Sequence, residues 1–308
     1  MLSSGFCCMG NSFKRHFALY IRAALVIMLF SLLSGCHSGV IDPTGLVARA
    51  ERKLLFDALL LMLIIVVPVI LMSFIFAYKY RSGRGGKYSP NWSHNNLLES
   101  ICWGVPCVII VILSVWAWRS AHVYDPYRPL DVPGKPLTIQ AVSLRWKWLF
   151  IYPEQNIATV NYVEMPLHRQ VVFEITSDAP MNGLFIPQLA SQIYSMGGMR
   201  TKLHVVAGKE GVFDGFSSNF SGDGFADMYF KAHVVSGHEF NSWVDTVKNK
   251  NRMLTIDEYT KLAEPSSKTP VAMYSSVYPK LFNKIMMQFM MPNQEFYDRK
   301  SAVVPLGV

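Results

Sequence analysis

The sequence lacks cysteine over most of its length. The chain has 308 residues and five cysteines, at positions 7, 8, 36, 102 and 107. No cysteine follows Cys107. The region beyond residue 107 therefore contains no disulfide, and it offers no thiolate to a soft metal ion.

Charged residues are missing from two long runs. Ala58–Tyr78 spans 21 residues and Ser100–Trp118 spans 19 residues, and neither contains Asp, Glu, Lys or Arg. At about 1.5 Å per residue each run forms a helix about 30 Å long, which matches the hydrocarbon thickness of a bilayer. We therefore predict a transmembrane helical hairpin over residues 36–120, with spans at about 57–79 and 98–119.

The net charge of +8 does not indicate nucleic-acid binding. Two stretches without acidic residues, 14–22 and 79–90, hold seven of the positive charges, and each flanks an apolar segment. Basic residues beside membrane segments mark the cytoplasmic side of a bilayer. The charge pattern therefore predicts the orientation of the helices in the membrane, and it predicts no nucleic-acid partner.

The N-terminus has the pattern of a secretory signal, which predicts removal of residues 1–35. Basic residues precede Ala23–Leu33, an apolar core too short to cross a membrane. Leu33-Ser34-Gly35-Cys36 resembles the bacterial lipoprotein box, in which the cysteine is lipidated. The alternative is a free Cys36 at the end of an anchor helix. Lipidation would place the mature N-terminus and everything after residue 120 in the periplasm, with the loop 79–96 in the cytoplasm of an inner-membrane protein.

Residues 121–236 are predicted to form an all-β domain. Apolar residues alternate along 146–152, where Trp146, Trp148, Phe150 and Tyr152 share one face. Short runs separated by Gly and Pro follow at 157–163, 170–176, 184–186, 201–206, 212–220 and 228–235. Seven or more short strands in about 100 residues favour an antiparallel sandwich or Greek-key barrel.

Residues 237–291 are predicted to form an aromatic-rich helical region, followed by a tail over 292–308. Helical spacing of apolar residues marks a first helix from Phe240 to Val247. Thr255 and Glu258 have the spacing of a capping box for a second helix. Pro279 is predicted to lie in the first turn of a third helix.

Glu99 is an acidic residue at the inner end of the second run, and its surroundings resemble a known family. On position alone it is either an interfacial carboxylate without a role or a functional acid. The segment 88–96, with Glu99, Trp103 and Pro106 after it, resembles subunit II of the haem–copper respiratory oxidases. Gly104 departs from the threonine that often follows the tryptophan in that family.

The resemblance implies a fold and a role for Glu99. It implies a cupredoxin-like Greek-key β domain carried on the hairpin, which packs on the catalytic subunit of the oxidase. It also implies that Glu99 stands at the cytoplasmic mouth of a proton channel in that subunit.

In the cytochrome c oxidases of this family the β domain holds two copper ions on cysteine, histidine and methionine ligands. Two fixed points, 185–187 and 220–224, align this chain with that pattern. None of the family's ligands is retained at the aligned positions, which are Asn182, Phe220, Gly222, Gly224, Met228 and Lys231. The resemblance therefore implies that this chain binds no metal and takes no electrons from cytochrome c.

The β region contains other side chains that could ligate a metal. Its histidines are His168, His204, His233 and His238, and none has a ligand partner at motif spacing. Met196 and Met199 are predicted to fill space in a loop. For the C-terminal methionines at 286, 287, 290 and 291, hydrophobic docking is favoured over copper binding.

Within the family, subunits that lack the copper ligands belong to quinol oxidases. The segments 181–182, 192–194 and 221–225 look like those of the bo-type ubiquinol oxidases. This implies a proton-pumping complex that oxidises ubiquinol and reduces oxygen to water. Its haems and one copper would belong to subunit I, the chain's partners would be subunit I, smaller membrane subunits and lipid, and no catalytic residue would lie in this chain. The alternatives are a copper-bearing cytochrome c oxidase subunit II and a free-standing periplasmic scaffold lipoprotein.

Overall fold

A computed structural model of the chain describes residues 39–82 and 94–290. The predicted lipidation site Cys36, the signal 1–35 and the tail 292–308 lie outside these residues. Within them, two long apolar helices precede a β-rich domain, and short helices follow it. The predicted fold class is confirmed.

The two long helices are α1, Leu46–Lys79, and α2, Asn96–Val123. Both are long and apolar enough to cross a membrane. α1 begins well before the predicted span, because the charged segment 49–53 continues the helix above the apolar run. A separate short 3-10 turn lies at Gly39–Ile41.

The start of α1 is bonded to the β domain. The backbone N–H of Gly45 donates to the carbonyl of Gln188 at 2.8 Å, and that of Leu46 donates to the carbonyl of Val206 at 3.2 Å. A Cβ atom on Gly45 would lie 1.8 Å from the carbonyl oxygen of Leu189, so only glycine fits at this joint. The helix is thus joined to the domain through its backbone.

Two sheets make up the body of the described β domain. The strands are β1 Leu137–Leu144, β2 Lys147–Tyr152, β3 Ile157–Val160, β4 Tyr162–Pro166, β5 Val171–Ser177, β6 Asn182–Ile186, β7 Ala190–Ser195, β8 Thr201–Val205, β9 Gly211–Ser217, β10 Tyr229–Val235, β11 Met253–Leu254, β12 Ala272–Tyr274 and β13 Ser276–Val277. The strand orders of the two sheets are β12-β3-β2-β1-β5-β8 and β4-β10-β9-β6-β7, and β11 pairs with β13 separately.

Two strand pairings differ from the antiparallel sandwich that the strand pattern favoured as one alternative. β1 pairs with β5 in parallel, and β4 pairs with β10 in parallel. Alternation of apolar residues records which face of a strand is buried and carries no information on strand direction. The crossovers that bring these strands together were therefore not visible in the pattern.

Strand β2 is buried on both faces. Trp148, Phe150 and Tyr152 pack between the sheets, as the alternation predicts. Leu149 and Ile151 on the opposite face pack under the C-terminal region. Trp146 is not part of the strand, which is a correction. It lies in the turn between β1 and β2 with φ 66°, a left-handed conformation that ends the alternation.

Three short helices follow the sheets: α3 Gly237–Lys248, α4 Ile256–Ala263 and α5 Leu281–Met290. α3 starts with a reciprocal capping box between Ser236 and Glu239 that was not predicted. The side chain of Thr255 caps α4 as predicted, but the Glu258 carboxylate pairs with Arg252 and does not complete the predicted capping box. Pro279 lies in a turn before α5, not in its first turn as expected.

The C-terminal helices close the second face of the six-stranded sheet. Tyr259 of α4 and Phe282 and Ile285 of α5 belong to one buried cluster with Leu149 and Ile151. Burying such side chains contributes roughly 1.5–3 kcal/mol each. The region therefore completes the core of the β domain.

Candidate functional site

Asn182 occupies the position aligned with the first copper-ligating histidine, and it is fully buried. Its side-chain oxygen accepts a hydrogen bond from the Ser217 hydroxyl at 2.7 Å. Its amide nitrogen donates to the carbonyl of Pro180 at 3.0 Å and contacts the Ser143 hydroxyl at 3.4 Å. Both ends of the amide are thus used within the protein.

Serine hydroxyls extend this network. The hydroxyls of Ser143 and Ser177 are 2.8 Å apart, and that of Ser177 donates to the carbonyl of Ala179 at 2.8 Å. Both serines are fully buried. A buried polar network of this kind is stable only when its members find partners, so these bonds favour one fixed arrangement of the strands around Asn182.

Trp146 covers the loop that aligns with the cysteine ligands. Its indole N–H donates to the carbonyl of Ser221 at 3.1 Å. A Cβ atom on Gly224 would lie 2.4 Å from the indole, and one on Gly222 would lie 3.5 Å from it. The indole therefore fills the space that a side chain at 224 would need, whereas a Cβ atom at 222 would meet it at an ordinary contact distance.

The remaining aligned positions are divided. Met228 is buried, and its carbonyl accepts from the N–H of Ser217, the residue that also binds Asn182. Phe220 is 75% exposed, and its ring contacts Phe225 at 5.5 Å between centroids. Lys231 lies on the exposed side of β10 and pairs with Asp214. Asn182 and Met228 therefore both bond to Ser217, whereas Phe220 and Lys231 lie at the surface and do not bond to it.

These side chains do not fit a copper centre. Bridging two copper ions requires thiolates supported by imidazole, and the buried donors here are an amide, hydroxyls and one thioether. A cavity of about 150 Å³ remains beside Asn182, Trp146 and Ser221. Across residues 39–82 and 94–290, no three His, Cys, Asp or Glu side chains converge on a metal position.

Two histidines of the β domain have other partners. His204 lies 2.7 Å from the side-chain amide of Gln170, and burial lowers its pKa, with Lys202 adding to the effect. His233 stacks on Tyr162 at 4.7 Å between ring centroids. Burial and then Lys231 lower the pKa of His233. His204 thus has a polar partner and His233 an aromatic one within the protein.

Glu99 lies in the first turn of α2. Asn95 caps this turn, because its side chain accepts from the N–H groups of Leu97 and Leu98 at 3.1 Å. The Glu99 side chain is 61% exposed and approaches His94 Nδ1 at 3.9 Å. A carboxylate at a helix N-terminus is favoured by the helix dipole.

Trp103 and Pro106 follow Glu99 on one face of α2. Positions i, i+4 and i+7 project from the same side of a helix. Trp103 is 71% exposed in the chain alone. The motif residues therefore form one stripe that starts at the carboxylate and continues into the apolar part of the helix.

Two features were not predicted from the sequence, namely the serine network and a charged cleft at the other end of the hairpin. A serine in a strand does not reveal from sequence which group it bonds to, so the contacts of Ser143 and Ser217 were not predictable.

The charged cleft could have been found from the sequence, because Asp57 and Arg119 directly flank the two charge-free runs on the same side. They line a cleft between α1 and α2.

Over most of its length the chain is similar to subunits of ubiquinol oxidases. It is 54% identical over 259 residues to the cytochrome bo(3) ubiquinol oxidase subunit 2 of Pseudomonas aeruginosa, covering 84% of this chain and 78% of that protein. It is 46% identical over 261 residues to the ubiquinol oxidase subunit 2 of Acetobacter aceti, covering 84% of this chain and 85% of that protein.

Two further matches concern parts of the chain. Residues 248–293 match the family model described as COX Aromatic Rich Motif. The solved periplasmic domain of subunit II of cytochrome oxidase from Bradyrhizobium japonicum is 25% identical with a TM-score of 0.36, covering 37% of this chain and 95% of that domain.

Proposed function

The chain belongs to the family of subunit 2 of the cytochrome bo(3) ubiquinol oxidases, and on that premise we propose that it binds no copper and supplies Glu99 at the proton entrance of a proton-pumping complex. It is a subunit of a ubiquinol oxidase, an oxidoreductase of the respiratory chain. In our proposal it stabilises subunit I and covers its periplasmic face. The haems and the one copper of the complex belong to subunit I, and ubiquinol is the electron donor.

One observation carries the proposal that no copper binds. Asn182 stands where the family's first histidine ligand would be, and both ends of its amide are hydrogen-bonded to protein groups. The absence of any cysteine after residue 107 supports the same conclusion from the sequence. Without copper the domain has no carrier for single electrons, which favours a two-electron donor that reacts elsewhere in the complex.

The role of Glu99 is supported by its position in the motif. Its carboxylate is solvent-exposed at the end of an apolar helix, and the stripe through Trp103 and Pro106 leads away from it. In the complex this stripe would face subunit I, and Glu99 would pass protons to it.

We further propose a bacterial inner-membrane lipoprotein. Cleavage before Cys36 and lipidation of its thiol would place the mature N-terminus and residues 121–236 in the periplasm. The hairpin over 36–120 would cross the membrane twice, and the helical region over 237–291 would remain on the β domain. The basic residues between the two spans support this orientation.

Donor specificity and copper content of the purified complex test the proposal. Oxygen uptake would be measured with reduced ubiquinone and with reduced cytochrome c, and copper would be counted per complex. We expect ubiquinol activity with one copper. Cytochrome c activity with two further coppers would overturn the proposal in favour of a copper-bearing subunit, and a chain that purifies alone without oxygen uptake would favour a scaffold lipoprotein.

A further inference from the structure

A cleft of about 290 Å³ lies between α1 and α2 where the two helices approach the β domain. Its polar lining consists of Lys53 and Asp57 from α1, of Trp116, Arg119 and Ser120 from the last turns of α2, and of Tyr124 directly after α2. The spacings 53–57 and 116–119–120 each place their side chains on one face of a helix. Two helical faces with matching polar groups thus oppose each other.

The charges of the cleft have no partners among the described residues. No ion pair within 4.0 Å and no side-chain hydrogen bond joins Lys53, Asp57 or Arg119 to another group in 39–82 and 94–290. This differs from Glu51, in the turn of α1 before the cleft, whose carboxylate accepts from Ser191. Two cations and one anion therefore line a shared space with their charges available.

The cleft lies at the border of the apolar segments. Asp57 immediately precedes the charge-free run of α1, and Arg119 immediately follows that of α2. In antiparallel helices that cross a bilayer, both positions fall at the same interface. Trp116 and Tyr124 also line the cleft, and aromatic residues of this kind concentrate at the level of lipid headgroups.

We propose that this cleft binds the headgroup of one phospholipid of the outer leaflet, with ethanolamine as the preferred headgroup. The phosphate would accept from Lys53 and Arg119, because both cations flank the cleft and phosphate is a ligand of both side chains. The ammonium of ethanolamine would pair with Asp57, which a glycerol headgroup cannot do. The acyl chains would follow the apolar surfaces of α1 and α2. This site rests on the proposed crossing of the membrane by the hairpin, and it requires no role in electron or proton transfer.

The bound lipid can be counted in the intact complex. The oxidase complex would be purified in mild detergent with wild-type chain and with the double variant Lys53→Ala/Arg119→Ala, and phospholipid would be quantified per complex by mass spectrometry. We expect the variant to lose one phospholipid per complex. The matched control is Arg52→Ala, because Arg52 lies beside Lys53 and its guanidinium is over the ring of Phe56 at 5.7 Å, outside the cleft.

Headgroup selection is tested separately. Complexes would be exchanged into nanodiscs with equal amounts of phosphatidylethanolamine and phosphatidylglycerol. Loosely bound lipid would then be removed with detergent, and the two lipids that remain on the complex would be quantified by mass spectrometry. We expect wild type to retain phosphatidylethanolamine in the cleft, and Asp57→Asn to lower the ratio of ethanolamine to glycerol lipid at least threefold.

The outcomes separate this site from the proposed function. An equal lipid count in wild type, the double variant and the Arg52 control would overturn the site, because a protein partner or water would then fill the cleft. Unchanged headgroup ratios in Asp57→Asn would overturn the preference for ethanolamine. Ubiquinol-dependent oxygen uptake is measured in the same samples, so a failure of the proposed function appears in wild type independently of the lipid count.

Discussion

The phenol of Tyr259 donates a hydrogen bond of 2.6 Å to Asp178, a carboxylate buried beside the polar network of Asn182. Gln288 donates to the other oxygen of the same carboxylate at 2.6 Å. Helices α4 and α5 are thereby tied to the loop between β5 and β6. The aromatic-rich region and the aligned copper position are parts of one connected structure.

The variant Tyr259→Phe is expected to destabilise this connection. It keeps the ring and removes one donor from a buried carboxylate, which costs about 1–3 kcal/mol. Denaturant unfolding of the detergent-solubilised protein measures the loss. The control is Tyr278→Phe, because Tyr278 is 42% exposed and its hydroxyl makes no hydrogen bond within the described part of the chain. Equal stability of the Tyr259 variant and wild type would contradict a structural role for the bond.

Glu164 is expected to make stability depend on pH. Burial raises the pKa of its carboxyl above 4.5, and Glu239 adds to the effect, while the hydrogen bond from Tyr162 opposes it. Between pH 4.5 and the raised pKa the folded chain holds a proton that the unfolded chain has released. The free energy of unfolding should therefore fall as pH rises through that window.

The variant Glu164→Gln removes the titrating group and should flatten this slope. Unfolding would be measured from about pH 4 to about pH 7 in both proteins, a range that brackets the titration of a carboxyl with a raised pKa. Glu154→Gln is the control, because Glu154 pairs with Lys135 at the surface. A slope that persists in Glu164→Gln would assign the pH dependence to other groups.

Gly224 and Trp146 are expected to be energetically coupled. In Gly224→Ala the new methyl group would overlap the indole, and overpacking of this kind costs about 1–3 kcal/mol. In the background of Trp146→Ala the same substitution should cost less, which a double-mutant cycle of unfolding free energies measures. Gly237→Ala is the control, because the space beside Gly237 is open. Additive effects would show that the indole does not limit side chains at 224.

Glu99→Ala is expected to slow the reductive part of turnover without loss of assembly. Removing the carboxylate takes away the proposed proton donor at the channel mouth, whereas the Asn95 cap of α2 remains. Stopped-flow reduction of the haems measures the effect, and Glu99→Asp should restore part of the rate. Cys102→Ala on the same helix is the control. Full specific activity of a poorly assembled Glu99→Ala complex would exclude the proton role.

Sequence patterns predicted the helices and strands whose buried or apolar residues recur at regular spacing. The charge-free runs predicted two helices, and the alternation from Trp148 to Tyr152 predicted a strand with an aromatic inner face. The second buried face of that strand was not predicted, because Leu149 and Ile151 contact residues more than 100 positions later. Burial by a distant segment leaves no periodic signal.

The residue types at the aligned copper positions could be read from the sequence, whereas their contacts could not. The missing cysteines alone excluded the thiolate ligands of a copper centre. Trp146 lies over Gly222 and Gly224 because its own backbone is left-handed, in the turn between β1 and β2. Aromatic residues rarely adopt this conformation. The alternation of aromatic residues therefore extended the strand one step too far.

The first turns of α1 set the distance between the β domain and the apolar part of the helix. Leu46, which is bonded to the β domain, lies twelve helical steps before Ala58, where the charge-free run begins. In the membrane orientation that we propose, a rise of about 1.5 Å per residue would hold the attachment point roughly 18 Å above the hydrocarbon of the bilayer. The β domain would then stand at a set height, with a layer beneath it deep enough for lipid headgroups and the surface loops of a neighbouring subunit.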